Sequence, residues 1–476
     1  MKLNRLKSFI LIIGLIAATG AAMAYTAGAG KTWFSDWITP ATHRPVIESG
    51  PLTLSGRLVQ NKILQGSEGR VNLALTLQAS DSYGSTAAEP RNVDMVIVLD
   101  RSGSMQGRKI KDARQAVLQL LSSLSTKDRF ALITYSDGVQ HVSTLHKVTV
   151  NHREQLETLI HRITAGGGTN LGAGLQAGIN LLVSAPETGN ARKVILISDG
   201  LANKGITDSA RLGTMAGVAV EKEFAVSTVG VGNNFNELLM TTIADRGAGN
   251  YYYLENPMAF AEVFQKELFY SKATIATNVS ISFLLNNGIS LVNAAGYPIK
   301  IQKDHAVVHP GDLRAGQTRK LFLTLQVPTG TTGSFEMGKI KAHYRFNGQL
   351  METTLDGSFK IACVKNKKEV RASIDKASWT EKVIREDYNQ LKQEVAGDIK
   401  AGKKQKALQR INSYYREQES INKTVASEEV TQNLDQDLKD LRQRVEDTFQ
   451  GAPAAVAAKQ KANSKAMQYE GYKGRR

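Results

Sequence analysis

Asp100, Ser102 and Ser104 stand in Asp-x-Ser-x-Ser order directly after the apolar run from Val93 to Leu99. A carboxylate and two hydroxyls at that spacing share one small volume and present only hard oxygen donors. Such donors suit Mg²⁺, Mn²⁺ or Ca²⁺, whereas the sulfur and imidazole ligands that zinc or copper favour are missing from this segment. Two later stretches supply more oxygen. Gly166-Gly167-Gly168-Thr169-Asn170 places a threonine hydroxyl just after a glycine loop that lets backbone approach closely, and Val194 to Ser198 leads into a second carboxylate, Asp199. Asp100 and Asp199 together neutralise a dication. Octahedral coordination then leaves one position for water or an incoming carboxylate.

The elements around these residues decide whether the five oxygens meet. Val93 to Leu99 is short, β-branched and apolar, as expected for a strand buried on both faces of a parallel sheet, and Val194 to Ile197 reads the same way. In open α/β sheets the carboxyl ends of such strands face the crevice where ligands bind. Helical spacing over Ile110 to Leu124, Leu156 to Ile163 and Leu171 to Leu182 alternates with strand-like runs at Phe130 to Tyr135, Phe224 to Gly230 and Tyr251 to Leu254. Alternation of this kind predicts a doubly wound α/β sheet.

Asp100-x-Ser102-x-Ser104, followed by Thr169 and Asp199, resembles the metal-ion-dependent adhesion site of von Willebrand factor type A domains, a pattern shared by integrin inserted domains. The resemblance covers roughly Val93 to Phe269. Within it, Gly168 to Leu175, Ser198 to Asn203 and Val229 to Gly232 are similar to the bacterial, exported branch. The resemblance implies a Rossmann-like fold, hydroxyl ligands from Ser102, Ser104 and Thr169, and an ion, Mg²⁺ first, held partly through waters by Asp100 and Asp199. It also implies a partner protein that offers an Asp or Glu carboxylate. Arg101 takes the first variable position, where many integrin domains carry glycine, without removing a ligand.

Lys2, Arg5 and Lys7 precede an apolar segment from Phe9 to Ala18, and small residues lead to Ala22-Met23-Ala24. These parts make residues 1–24 a secretory signal cleaved after Ala24, and so place the protein in the periplasm or outside the cell. An uncleaved membrane anchor is the rival reading, although the apolar stretch is shorter than the ~20 residues of a spanning helix. Residues 25–49 read as poorly ordered. Within them Gly28-Ala29-Gly30-Lys31-Thr32 ends like a phosphate-binding loop, but Tyr25 stands where that motif needs its first glycine and no strand precedes it.

The chain of 476 residues is 42% hydrophobic and 22% charged, enough for two or three domains with their own cores. Its single cysteine, Cys363, cannot form an internal disulfide and is either a buried strand residue or an intermolecular bridge. Net charge is +16 and stays strongly positive without the signal. A generally solvated basic surface is the simpler reading; attraction to an anionic envelope surface is the sharper one. Nucleic acid is excluded as a partner, since export separates the protein from it and no recognition motif occurs.

On both sides of the 91–270 α/β domain the pattern is β-like. Leu52, Leu54, Leu58 and Val59, then Val71, Leu73, Leu75 and Leu77, alternate with polar residues, and short strands with Asn-Gly turns recur over 271–364. Residues 50–90 therefore supply strands and a linker to a β-sandwich completed by 271–364, with the α/β domain inserted between its parts. Related arrangements occur in inter-alpha-trypsin inhibitor heavy chains and calcium-activated chloride channel-like proteins. Residues 365–450 become charged and helical, with apolar stripes that suit an internal hairpin or bundle, or else a partner-binding coiled coil. Residues 451–476, alanine-rich and basic, read as a disordered tail.

Other chemistries find less support. Ser136-Asp137-Gly138 repeats the tripeptide around Asp199 but reads as a hairpin turn. Gly172-Ala173-Gly174-Leu175-Gln176-Ala177 fits a dinucleotide fingerprint without the required preceding strand, so its small residues point to close helix packing. His305 and His309 lie in an extended stretch, and no histidine neighbours Ser102 or Ser104 in sequence. The expected function is metal-dependent binding without catalysis. A structural envelope component with a bracing ion is the alternative, and a metal-dependent hydrolase is the third reading.

Overall fold

The computed structural model describes residues 46–47, 50–81, 91–355 and 359–475. The expected signal, the Gly28 to Thr32 stretch and most of the linker before Arg91 lie outside the described residues.

Apolar continuity places the strand Val93–Asp100 at the middle of a seven-stranded sheet, with all eight of its residues buried. Ala191–Ser198 pairs parallel to one side of it and Arg129–Tyr135 to the other. Ala225–Val231 and Ala248–Leu254 extend the parallel set beyond Ala191–Ser198. The far edge is closed by Val139–His141, which runs antiparallel to Arg129–Tyr135 across the Ser136-Asp137-Gly138 turn. Alternate side chains of the central strand divide between two cores. Met95, Ile97 and Leu99 pack with helices Arg108–Ser123, Val150–His161 and Phe260–Lys272. Val96 and Val98 pack with Leu171–Ser184, Ser209–Glu221 and Glu237–Arg246 on the opposite face. Each such aliphatic side chain contributes about 1.5–3 kcal/mol through burial, so the strand that carries Asp100 is among the most firmly held in the molecule.

The glycines of the Leu171–Ser184 helix have a packing role. A methyl group at Gly178 would lie 2.6 Å from Val98 Cγ2, and one at Gly174 would lie 2.6 Å from the Tyr135 ring. Only hydrogen fits there, which is why the fingerprint-like spacing occurs without a nucleotide loop.

The α/β body is inserted into an all-β unit. Arg70–Ala79 pairs antiparallel with Leu52–Leu58 on one side and with Thr318–Gln326 on the other. Leu73, Leu75 and Leu77 thereby enter one core with Ile281, Phe283, Leu323 and Ile340. A second sheet is built around Thr274–Leu284, Ile340–Phe346 and Gln349–Leu355. Cys363 is a free, buried residue of the strand Lys360–Val364.

Beyond Val364 the chain is helical. Trp379, Val383, Leu391, Val395 and Ile399 face Ile411, Tyr414, Val430, Leu434, Leu438, Leu441 and Val445 in one buried cluster, so these stripes satisfy each other. Gly402, at φ +71°, ends the helix Tyr388–Lys400 and turns the chain into Lys404–Val425. This left-handed conformation suits glycine because it has no Cβ.

Residues 451–476 depart from the expectation of a disordered tail. Pro453–Arg475 forms a helix, with Lys465 4% and Met467 0% exposed. Alanine-rich sequence has high helix propensity. Lys465, Tyr469 and Tyr472 also recur at helical spacing, and the tyrosines pack edge-on against Tyr251, with ring centroids 5.7 and 5.4 Å away. Composition alone concealed this docking, because the acid that receives Lys465 is Glu237, 2.8 Å away in the α/β body.

Candidate metal centre

Three segments meet at the carboxyl ends of Val93–Asp100 and Ala191–Ser198. The Asp100 to Met105 turn is tied to its neighbours through backbone: Arg101 N–H donates to the Tyr135 carbonyl at 2.8 Å, Gly103 N–H to the Gly167 carbonyl at 3.0 Å, and Gly166 N–H to the Arg101 carbonyl at 2.7 Å. The glycine loop is therefore stitched to the serine turn. Asp137 braces it from outside, accepting the Gly168 N–H at 3.0 Å and pairing with Lys204. The tripeptide thus makes the expected hairpin turn and, beyond that expectation, supports the glycine loop.

All five oxygen-bearing residues are brought together. Ser102 N–H donates to Asp100 Oδ1 at 2.8 Å, while the Ser198 hydroxyl donates to Asp100 Oδ2 at 2.9 Å. The Ser102 and Ser104 hydroxyls lie 3.0 Å apart, and Ser104 donates to Asp199 Oδ1 at 2.6 Å. Thr169 joins them across Gly200: a Cβ at that glycine would sit 3.2 Å from Ser104 Oγ and 3.6 Å from Thr169 Oγ1. Thr169 is in turn fixed by its N–H, which donates to Asn203 Oδ1 at 2.9 Å.

Asp100 and Asp199 are both completely buried. Burial pushes the Asp100 carboxyl up to about 6; hydrogen bonds from Ser102 and Ser198 pull it down, and the neighbouring Asp199 charge adds to the rise. Two carboxylates removed from water at one place call for positive charge. The protein provides one such charge itself. Lys109, on the first turn of the Arg108–Ser123 helix, sets its ammonium against Asp199 Oδ2 and donates to the Ser104 carbonyl at 3.2 Å. One cation against two acids leaves the group net negative, and the remaining donors are hard oxygens, so the residues fit a divalent cation.

Lys109, Ser198, Asn203 and Lys204 did not emerge from sequence reasoning. Ser198 and Asn203 had a signal, since both flank Asp199 within Ser198 to Asn203. Lys109 lies five residues beyond Ser104, and its role depends on the direction in which its helix leaves the turn.

A mainly parallel sheet covered by helices on both faces, with side-chain oxygens gathered at its carboxyl edge, defines a Rossmann-like α/β domain. Residues 94–266 match the von Willebrand factor type A domain family, and this body is a domain of that type. The chain is 30% identical over 243 residues to the Escherichia coli (strain K12) protein described as "Uncharacterized protein YfbK", covering 49% of this chain and 41% of that one. It is 30% identical over 219 residues to inter-alpha-trypsin inhibitor heavy chain H3 of Mesocricetus auratus, covering 44% of this chain and 24% of the relative. The chain thus spans less than half the length of either relative. Among solved structures, a von Willebrand factor type A protein from Catenulispora acidiphila aligns with a TM-score of 0.65 at 18% identity, covering 90% of this chain and 97% of that one. The fold therefore recurs well beyond the α/β body.

Proposed function

We propose that this protein is an exported binding protein that recognises an acidic group on a partner protein through a divalent cation, Mg²⁺ first, held by Asp100, Ser102, Ser104, Thr169 and Asp199. One observation carries the reading: two buried carboxylates and three hydroxyls converge at the carboxyl edge of a type A domain with a single lysine to balance them. A bound dication supplies an electrophilic position for a partner's Asp or Glu carboxylate. The chain's own residues do the rest. Ser198 and the Ser102 amide hold Asp100 in place, Asn203 fixes Thr169, and the glycine loop is bonded through backbone to the serine turn.

At the rim, Arg101 and Lys204 flank the serine turn and the glycine loop, and both face Asp137, which pairs with Lys204. Leu201, 60% exposed directly beside Gly200, offers apolar contact next to the charged centre. The Ser102 and Ser104 hydroxyls hydrogen-bond each other and Ser104 donates to Asp199, with no histidine bonded to either among the described residues, which supports binding over nucleophilic attack by these hydroxyls.

The Lys109 pairing favours a second reading, in which the lysine satisfies the acids in place of the bracing ion expected above and the helical bundle mediates envelope assembly. Calorimetric titration of Mg²⁺ separates the two. Saturable uptake that Asp199→Ala abolishes supports the binding reading, and no uptake by the wild type supports the structural one.

A further inference from the structure

A cleft of about 230 Å³ opens at the amino ends of Ala191–Ser198, Ala225–Val231 and Ala248–Leu254, the opposite end of the sheet from Asp100 and Asp199. Strands of the β-sandwich form one wall and the terminal helix another. Its size lies below the ~300–1,000 Å³ of drug-sized sites, so it admits a compact ligand.

Two residues that line this cleft carry buried donors without acceptors. The Tyr251 hydroxyl, on a residue 2% exposed, and Arg319 Nε are buried and have no hydrogen-bond partner among the described residues. Arg319 is otherwise anchored, with Nη1 donating to the carbonyls of Pro310 and Gly311. A buried donor left unpaired costs about 1–3 kcal/mol, so the cleft carries an unmet demand for acceptor oxygens.

Charge points the same way. Lys266, Arg314 and Lys473 line the cleft without forming an ion pair among the described residues, whereas Lys193 is matched by Glu267 at 2.7 Å. Arg314 lies over the Tyr270 ring at 3.9 Å from its centroid, with Lys266 at 5.6 Å, so aromatic faces hold these cations in position. The acid that remains is Asp312. It accepts the Asn278 N–H at 3.0 Å; desolvation raises its carboxyl, and the neighbouring Lys193, Arg91 and Arg319 offset its charge.

We infer that this cleft binds a small oxyanion, the phosphate or carboxylate of a compact metabolite or sugar acid, with the Tyr251 hydroxyl and Arg319 Nε as donors and Arg314, Lys266 and Lys473 as counter-charges. The inference does not depend on the metal centre. It is tested by calorimetric titration of the full chain at low salt with inorganic phosphate, with glucuronate and with neutral glucose. Saturable one-site binding of either anion, with none of glucose, is expected. Equal affinity for the two anions would mean recognition of the charged group alone, and tighter glucuronate binding would mean that the ring also contributes. Tyr251→Phe, which keeps the packed ring, should weaken binding about tenfold, while Asp199→Ala should leave it unchanged. Absence of saturable heat with both anions, equal binding of glucose, or unchanged affinity in folded Tyr251→Phe overturns the inference; so does loss of binding in Asp199→Ala.

Discussion

The Lys109 ammonium rests on the Asp199 carboxylate, the group a divalent cation at this centre must also use. Positive charges ~4 Å apart repel by several kcal/mol even at an effective dielectric near 20. In the proposed centre, metal loading would therefore require Lys109 to withdraw, and the apparent metal affinity would be the outcome of a competition. Lys109→Met, which keeps the stem and removes the charge, is expected to tighten Mg²⁺ binding by at least about tenfold, ~1.4 kcal/mol. Calorimetry on the two proteins checks it, and equal or weaker affinity in the variant contradicts the competition.

Gly178→Ala should destabilise the α/β body. The added methyl would lie 2.6 Å from Val98 Cγ2 on the strand that ends in Asp100. Overpacking of this kind costs about 1–3 kcal/mol, more than the gain in helix propensity returns. Denaturant melts of wild type and variant measure it; an unchanged midpoint would show that the helix can shift away from the sheet freely.

Glu237 should govern docking of the terminal helix. Burial alone would raise its carboxyl, but Lys400 at 2.7 Å and Lys465 at 2.8 Å outweigh burial and hold it below the usual range. Glu237 then binds its proton less readily in the folded chain than in the unfolded one. Its stabilisation is present above the unfolded glutamate value of ~4.3 and is lost as pH falls through the lower folded value. Hydrogen exchange in residues 453–475 should accelerate over that acid window. In Glu237→Ala the same acceleration should appear at neutral pH, because Lys465 is left buried without its carboxylate, a loss of about 3–5 kcal/mol. Continued protection of the helix in that variant would show that Tyr469, Tyr472 and Met467 suffice to hold it.

Much of this architecture was legible because each signal was local. The strand before Asp100 announces itself by seven residues from Val93 to Leu99 with a single acid among them, Asp94, and that acid is satisfied inside the fold by Arg129. The alternation of Val71, Leu73, Leu75 and Leu77 demanded an apolar partner that the α/β pattern could not supply, and the sheet that contains Thr274–Leu284 and Ile340–Phe346 supplies it across the insertion. What stayed hidden depends on distant pairing. Lys465 looks like tail charge until Glu237 is placed beside it. Lys193 and Glu267, 74 positions apart, form a buried pair that no spacing rule connects. For the centre, residue types and chain order placed the five oxygens in one neighbourhood. The lysine competing for Asp199 required knowing where a helix begins.

The most direct measurement of the central claim is calorimetric titration of Mg²⁺ and Mn²⁺ into the folded full chain and into Asp199→Ala, with circular dichroism confirming that both are folded. One saturable site is expected in the wild type and none in the variant. No uptake by the wild type, or the same uptake by both, would contradict a metal centre built from Asp100, Ser102, Ser104, Thr169 and Asp199.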